Sequence, residues 1–190
     1  MDTGKANKTC RQNWKRFIIL IPHRDTLKPL EQYREKLFAT GYYGAFSFPL
    51  AAPLFSVSRP FCCEELKELA HNIRLLTMQR DGKILCSGSS ITNYHDGEMS
   101  FFGPFLDISI EKEILPKTAT GKILSVFSPP VICAALVASG EEPFREERPA
   151  LSFRAASLTN LAIRPLDSGA PGYSFEWRMS PPVWLPKHKG

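Results

Sequence analysis

Arg16-Phe17-Ile18-Ile19-Leu20-Ile21-Pro22, together with the stretch Lys28–Thr40 that follows it, decides how the fold is read. The first segment is a short apolar run rich in β-branched side chains and is stopped by Pro22. That length and composition predict a central strand covered on both faces. The second segment predicts a helix. Pro29 suits its first turn, where a missing N–H costs no intrahelical bond. Leu27, Leu30, Tyr33 and Leu37 fall on one stripe, and Gly41 supplies a left-handed stop.

Outward from this pair, Ala45–Phe48 and Leu54–Ser58 read as strands on either side of Pro49–Pro53. Leu66, Leu69, Ala70, Ile73 and Leu76 keep a 3.6-residue period and predict a helix over Cys63–Thr77, with Glu64 and Glu65 suited to its positive N-terminal end. Asp81–Gly82 is a turn. Lys83–Ser90, Ile91–Tyr94 and Met99–Phe102 form a strand-and-turn stretch with a hairpin signal at Asp96-Gly97. Phe105–Ile110 alternates apolar with polar and predicts another strand, as does Lys122–Phe127. Ser128-Pro129-Pro130 reads as a helix start, with a short apolar helix running to Ser139. That segment is apolar all round, so a buried strand is the open alternative. Leu151–Ser157 and Leu158–Leu166 read as strands, and a turn at Gly169–Gly172 leads to Tyr173–Met179 as a closing hairpin.

This order predicts an α+β fold of two pseudo-repeated lobes, with antiparallel sheets flanked by helices. A doubly wound parallel sheet would need more regular alternation. Residues 1–15 are expected to be a basic flexible tail, 16–180 a single two-lobed domain, and 181–190 a basic, proline-broken tail.

The composition suits such a domain: 190 residues, 43% hydrophobic and 23% charged. No apolar run approaches the roughly 18–20 residues needed to span a bilayer, so no membrane is expected. Met1–Lys15 is polar and lacks the apolar core of a signal peptide, which points to a cytoplasmic protein. The net charge is +5, and residues 1–16 alone contribute +4 through Lys5, Lys8, Arg11, Lys15 and Arg16 against Asp2. The body therefore carries no basic signature of a dedicated nucleic-acid binder. Cysteines at 10, 62, 63, 86 and 133 show no paired zinc spacing, and the four histidines are far apart, so no metal is expected. Gly82, Gly88 and Gly97 fit no nucleotide fingerprint, and no cofactor is expected.

The order and several local strings resemble the 2H phosphoesterase superfamily, in its 2′-5′ RNA ligase-like and cyclic phosphodiesterase branch. Arg16–Pro22 and the helix after it look like that family's first strand and helix. Phe48-Pro49-Leu50-Ala51-Ala52-Pro53-Leu54-Phe55, then Arg59-Pro60-Phe61, sits where its first His-x-Thr/Ser motif falls. Phe144-Arg145-Glu146-Glu147-Arg148-Pro149-Ala150-Leu151-Ser152-Phe153 sits where the second falls. Leu158–Leu166 and Tyr173–Trp177 resemble the closing hairpin. The resemblance covers roughly Arg16 to Trp177.

The resemblance implies two histidines facing each other across a cleft, one as general base and one as general acid on a phosphodiester. Two hydroxyls, each two residues later on the same strand face, would hold the phosphate oxygens. Here both motifs are degenerate. Ala51 or Ala52 stands at the first histidine position, with Pro53 or Leu54 where the hydroxyl belongs. Ala150 stands at the second, and Ser152 keeps the hydroxyl. Alanine carries no titratable group, and general acid–base catalysis is worth about 10²–10⁴ in rate. No catalytic residue is therefore assigned.

The expected function is that of a catalytically degenerate protein that binds a nucleotide, an RNA end or a protein partner without turnover. Ser152, Arg154, Arg148 and His23 are the candidate ligand-binding residues: arginine suits phosphate, and His23 follows the first strand at a cleft rim. Two other readings stand beside it. One is an active phosphodiesterase or RNA-end enzyme using unrecognised residues; the other is a scaffold whose cleft is filled by side chains. Phe46, Phe48, Phe55 and Phe61 crowd the first motif and Phe144 and Phe153 flank the second; such rings can stack bases or, among thirteen phenylalanines in the chain, simply fill a core.

Overall fold

The computed structural model describes residues 14–24, 27–39, 48–78, 83–96, 99–133, 135–138, 151–165 and 175–185. Its elements in chain order are β1 (Lys15–Pro22), α1 (Lys28–Ala39), β2 (Ala52–Val57), α2 (Cys63–Met78), β3 (Lys83–Asp96), β4 (Met99–Leu106), β5 (Ile123–Val126), β6 (Ala135–Ala138), β7 (Leu151–Pro165), β8 (Phe175–Met179) and β9 (Val183–Trp184). The fold is α+β, and every strand pairing among the described residues is antiparallel. Among these residues, no helix is long and apolar enough to cross a membrane.

The strands follow the order β5-β2-β1-β7-β3-β4-β6. One edge of β7 carries β1. The other is shared end to end by β3 at Leu151–Arg154, β9 at Ser157–Leu158 and β8 at Leu161–Pro165. The sheet thus reaches Val183–Trp184, past the expected domain end at 180.

Alternation along β1 sends its residues to two cores, as a doubly covered strand requires. Ile18 and Leu20 join Leu54, Leu66, Leu69, Ile73, Ile84 and Leu158 beneath α2. Phe17 and Ile19 join Phe48, Ala51, Phe101, Phe127, Cys133, Leu161 and Ile163 on the opposite side. Asn160 fixes the entry to α2: its amide nitrogen donates to the Phe61 carbonyl at 3.0 Å, and its oxygen accepts from the Phe61 N–H at 2.7 Å.

The sheet curls over its phenylalanine face. β7 and β3 lie between β1 and β4, so a flat sheet would hold β1 and β4 about 14 Å apart at ~4.8 Å per strand. Yet the rings of Phe17 on β1 and Phe101 on β4 have centroids 5.5 Å apart. The segment from Phe127 to Cys133 closes the curl. It bonds β2 and its approach through Phe127 N–H to Leu54 O and Cys133 N–H to Ala51 O, each at 2.9 Å. It bonds β4 through Leu106 N–H to Pro130 O at 2.7 Å and Ile132 N–H to Pro104 O at 2.9 Å.

That segment corrects the expected helix after Ser128. Val131 forms a bridge with Phe105, and Ala135–Ala138 is a strand on β4, so the strand alternative holds. β3 is continuous through Ser87–Ser90, with a register shift between Cys86 and Ile91. Phe105–Ile110 is not a separate strand, because β4 ends at Leu106. Ile108 and Ile110 still turn inward, so the alternation is real, but it has no ladder partner among the described residues. Phe48 lies outside any strand, and Ala45–Ser47 lie outside the described residues, as does the expected turn at Gly169–Gly172.

Candidate functional site

β2 and the residues leading into it set the first motif. Pro53 pairs with Ile19 and Ala52 with Leu20, so Ala52 faces α2 while Pro53 faces the phenylalanine side. Ala51 lies on that same side. Of the two readings for the first motif, Ala51 and Pro53 are therefore the pair that shares the inner face.

Ala51 is 0% exposed. The rings that share its core lock together edge to face. Phe101 meets Phe17, Phe48 and Phe127 at centroid distances of 5.5, 5.3 and 5.7 Å. Phe127 also lies 6.2 Å from Phe17. Cys133 completes the wall, fully buried, with its backbone bonded to Ala51. Among the described residues, the side chains that share this core with Ala51 are apolar, with no imidazole or carboxylate among them.

Among the described residues, a charged group reaches its border. Arg34 projects from α1 and is 7% exposed. Its Nη2 donates to the Phe48 carbonyl at 2.9 Å and to the Cys133 carbonyl at 3.0 Å. Burial lowers its pKa from the ordinary arginine value, while the charges of Cys133 and Glu31 act the other way. Sequence reasoning missed this residue. The signal was present, because Arg34 sits at i+4 from Leu30 on the buried stripe that continues to Leu37.

The remaining candidates lie elsewhere. His23 and Arg154 are both exposed and come together at the end of β1, where the His23 N–H donates to the Arg154 carbonyl at 2.6 Å. Ser152 is in β7 opposite Leu85, six residues from Leu158, which pairs with the Leu20 that faces Ala52. That is roughly 20 Å along the strand at ~3.3 Å per residue. The segment that does meet Ala51 is Phe127–Cys133. Arg148 and Ala150 lie outside the described residues. Among the described residues, no three His, Cys, Asp or Glu side chains gather as metal ligands.

The chain matches no family model, no curated protein and no solved structure. The functional reading rests on the geometry of this site and on the strings described above.

Proposed function

We propose that the chain is a 2H phosphoesterase-like protein of the 2′-5′ RNA ligase or cyclic phosphodiesterase type that has lost catalysis and acts by binding. The observation that carries this reading is the enclosure of Ala51 among Phe17, Phe48, Phe101 and Phe127. Where such chemistry needs an imidazole and a phosphate-sized space, this chain has a methyl group and packed rings. The described residues around Ala51 supply no group for proton transfer, and their packing works against substrate entry. A ligand must then be met on an outer surface, which leaves the inner face to hold the fold together.

Purified protein should give no turnover of a 2′,3′-cyclic nucleotide. A second reading draws on the contact between His23 and Arg154, an imidazole-bearing and a guanidinium-bearing residue side by side on the surface. Turnover that survives rigorous purification and disappears in His23→Ala would establish that reading and reject the first.

A further inference from the structure

Three strands build a second surface at the opposite end of β1. Arg16 pairs with Ala162, and Ala162 pairs with Arg178 across β7. Arg164 pairs with Glu176, and Lys15 with Ile163, which brings Trp14 level with Arg164. Alternation puts Trp14, Arg16, Arg164, Glu176 and Arg178 on one face of β1, β7 and β8.

The side chains are tied into one unit. The guanidinium carbons of Arg164 and Arg178 each lie 4.9 Å from the centroid of the Trp14 ring. Glu176 holds both: it accepts from Arg164 Nε at 2.6 Å and from Arg178 Nη2 at 2.9 Å. Those bonds, from Arg178 and then Arg164, keep its pKa below the ordinary carboxylate value, so the clamp stays charged at neutral pH. Arg16 Nη1 reaches the Trp14 carbonyl at 3.5 Å. Three arginines face one carboxylate, and Arg178 keeps 71% of its side chain open to solvent.

In the sequence, positive charge is concentrated in the stretches that contain Trp14, Arg164 and Arg178. Residues 1–16 carry +4, Arg164 carries +1 and residues 175–190 carry +2, so the rest of the chain is left at −2 out of a total of +5. Guanidinium groups match phosphate oxygens with two bonds each. An indole and planar guanidinium groups offer stacking surfaces to any base. The Glu176 clamp fixes these planes beforehand and reduces the ordering cost of binding.

We propose that this face binds single-stranded nucleic acid, with Arg16 and Arg178 on the phosphodiester backbone and the Trp14–Arg164 pair stacking a base. The proposal supplies the ligand class for the binding role above and rests on that reading.

The test measures binding of fluorescein-labelled 20-mers of oligouridylate and oligothymidylate by anisotropy from 50 to 300 mM salt, using full-length protein. Arg178→Glu and Lys117→Glu both reverse an exposed charge and change the net charge by −2. Arg178→Glu should weaken binding about tenfold or more and make the salt slope shallower by about one to two ion equivalents, while Lys117→Glu changes it little. Trp14→Ala should weaken binding about tenfold with the salt slope kept, and Trp14→Phe should restore most of the loss. Circular dichroism confirms that each variant is folded. Stronger binding to one oligomer identifies RNA or DNA as the preferred strand. Equal losses in Arg178→Glu and Lys117→Glu would overturn the proposal. So would no binding by the full-length protein at 50 mM salt, including the case where it binds phosphatidylserine vesicles or a phosphopeptide instead. Turnover of a cyclic nucleotide by the same sample would reject the non-catalytic reading on which the role rests, while the oligonucleotide data report on the surface separately.

Discussion

Replacing Phe101 with alanine removes the ring on which the closed face converges. Phe101 is 0% exposed and meets Phe17, Phe48 and Phe127 at 5.5, 5.3 and 5.7 Å, with interplanar angles of 80°, 78° and 73°. Deleting a buried phenylalanine costs about 3–5 kcal/mol through lost transfer energy and the cavity left behind. That range already contains the edge-to-face contacts, worth about 0.5–1.5 kcal/mol each, and the three such pairs of Phe101 place the expected loss at its upper end, about 4–5 kcal/mol. For a chain of this size each kcal/mol lowers Tm by about 2–4 °C, so a fall of about 8–20 °C is expected. Urea unfolding followed by circular dichroism gives the free energy. Leu124→Ala, at a residue 69% exposed, serves as control and should stay within about 0.5 kcal/mol. If Phe101→Ala costs less than about 1 kcal/mol, the rings do not close the face and the reasoning fails.

Three further outcomes are expected. Ala51→His should destabilise by about 2–6 kcal/mol, from overpacking and an unsatisfied buried imidazole, without creating cyclic-phosphate turnover; a stable, active variant would show that the space is open. Asn160→Leu leaves the N–H and C=O of Phe61 without their partner and should cost about 2–5 kcal/mol by urea unfolding. Glu65 governs part of the acid limb of stability. Burial would raise its pKa, but hydrogen bonds from Lys122, at 2.7 Å, and from the Cys62 N–H outweigh this and hold it below the ordinary value. A carboxylate depressed on folding stabilises above its unfolded pKa, about 4.3, and loses that contribution as pH falls through the folded value. Urea midpoints between pH 3 and 7 should show this loss in the native protein and a smaller one in Lys122→Met; identical profiles would contradict the assignment.

The helices were legible because their buried residues repeat at helical spacing: Leu30 to Leu37 in α1, and Leu66, Leu69, Ala70 and Ile73 in α2. β1 was legible for the complementary reason, since five consecutive apolar residues before Pro22 need cover on both faces. The long strands were harder. β7 reads as two strands because a register shift opposite Ile21 and Pro22 breaks the alternation around Ala156. β3 reads as strand, turn and strand for the same reason, across the serines and Gly88 before Ile91. The stretch from Ser128 reads first as a helix and only alternatively as a strand, because a proline pair starts a helix by local rules. Here Phe127–Cys133 is instead held by bonds to Leu54, Ala51 and β4, which are distant in sequence. The same non-local pairing decides the site. The sequence places a degenerate motif at Ala51 and Pro53. What fills the space beside it comes from Phe101, Phe127 and Cys133, at separations no local pattern reports.

The closed face is tested most directly at Cys133, the thiol in its wall. Cys62 and Cys63 are exposed and Cys133 is 0% exposed, so one protein carries both the probe and its reference. Timed alkylation with iodoacetamide under native conditions, read by peptide mass spectrometry, gives each rate. If the face is closed, Cys133 reacts only when the structure opens, at least about 10³-fold more slowly than Cys62 and Cys63 for a stability of 5 kcal/mol or more. Labelling of Cys133 at a rate within about tenfold of theirs would show an open, solvent-filled cleft beside Ala51 and contradict the account.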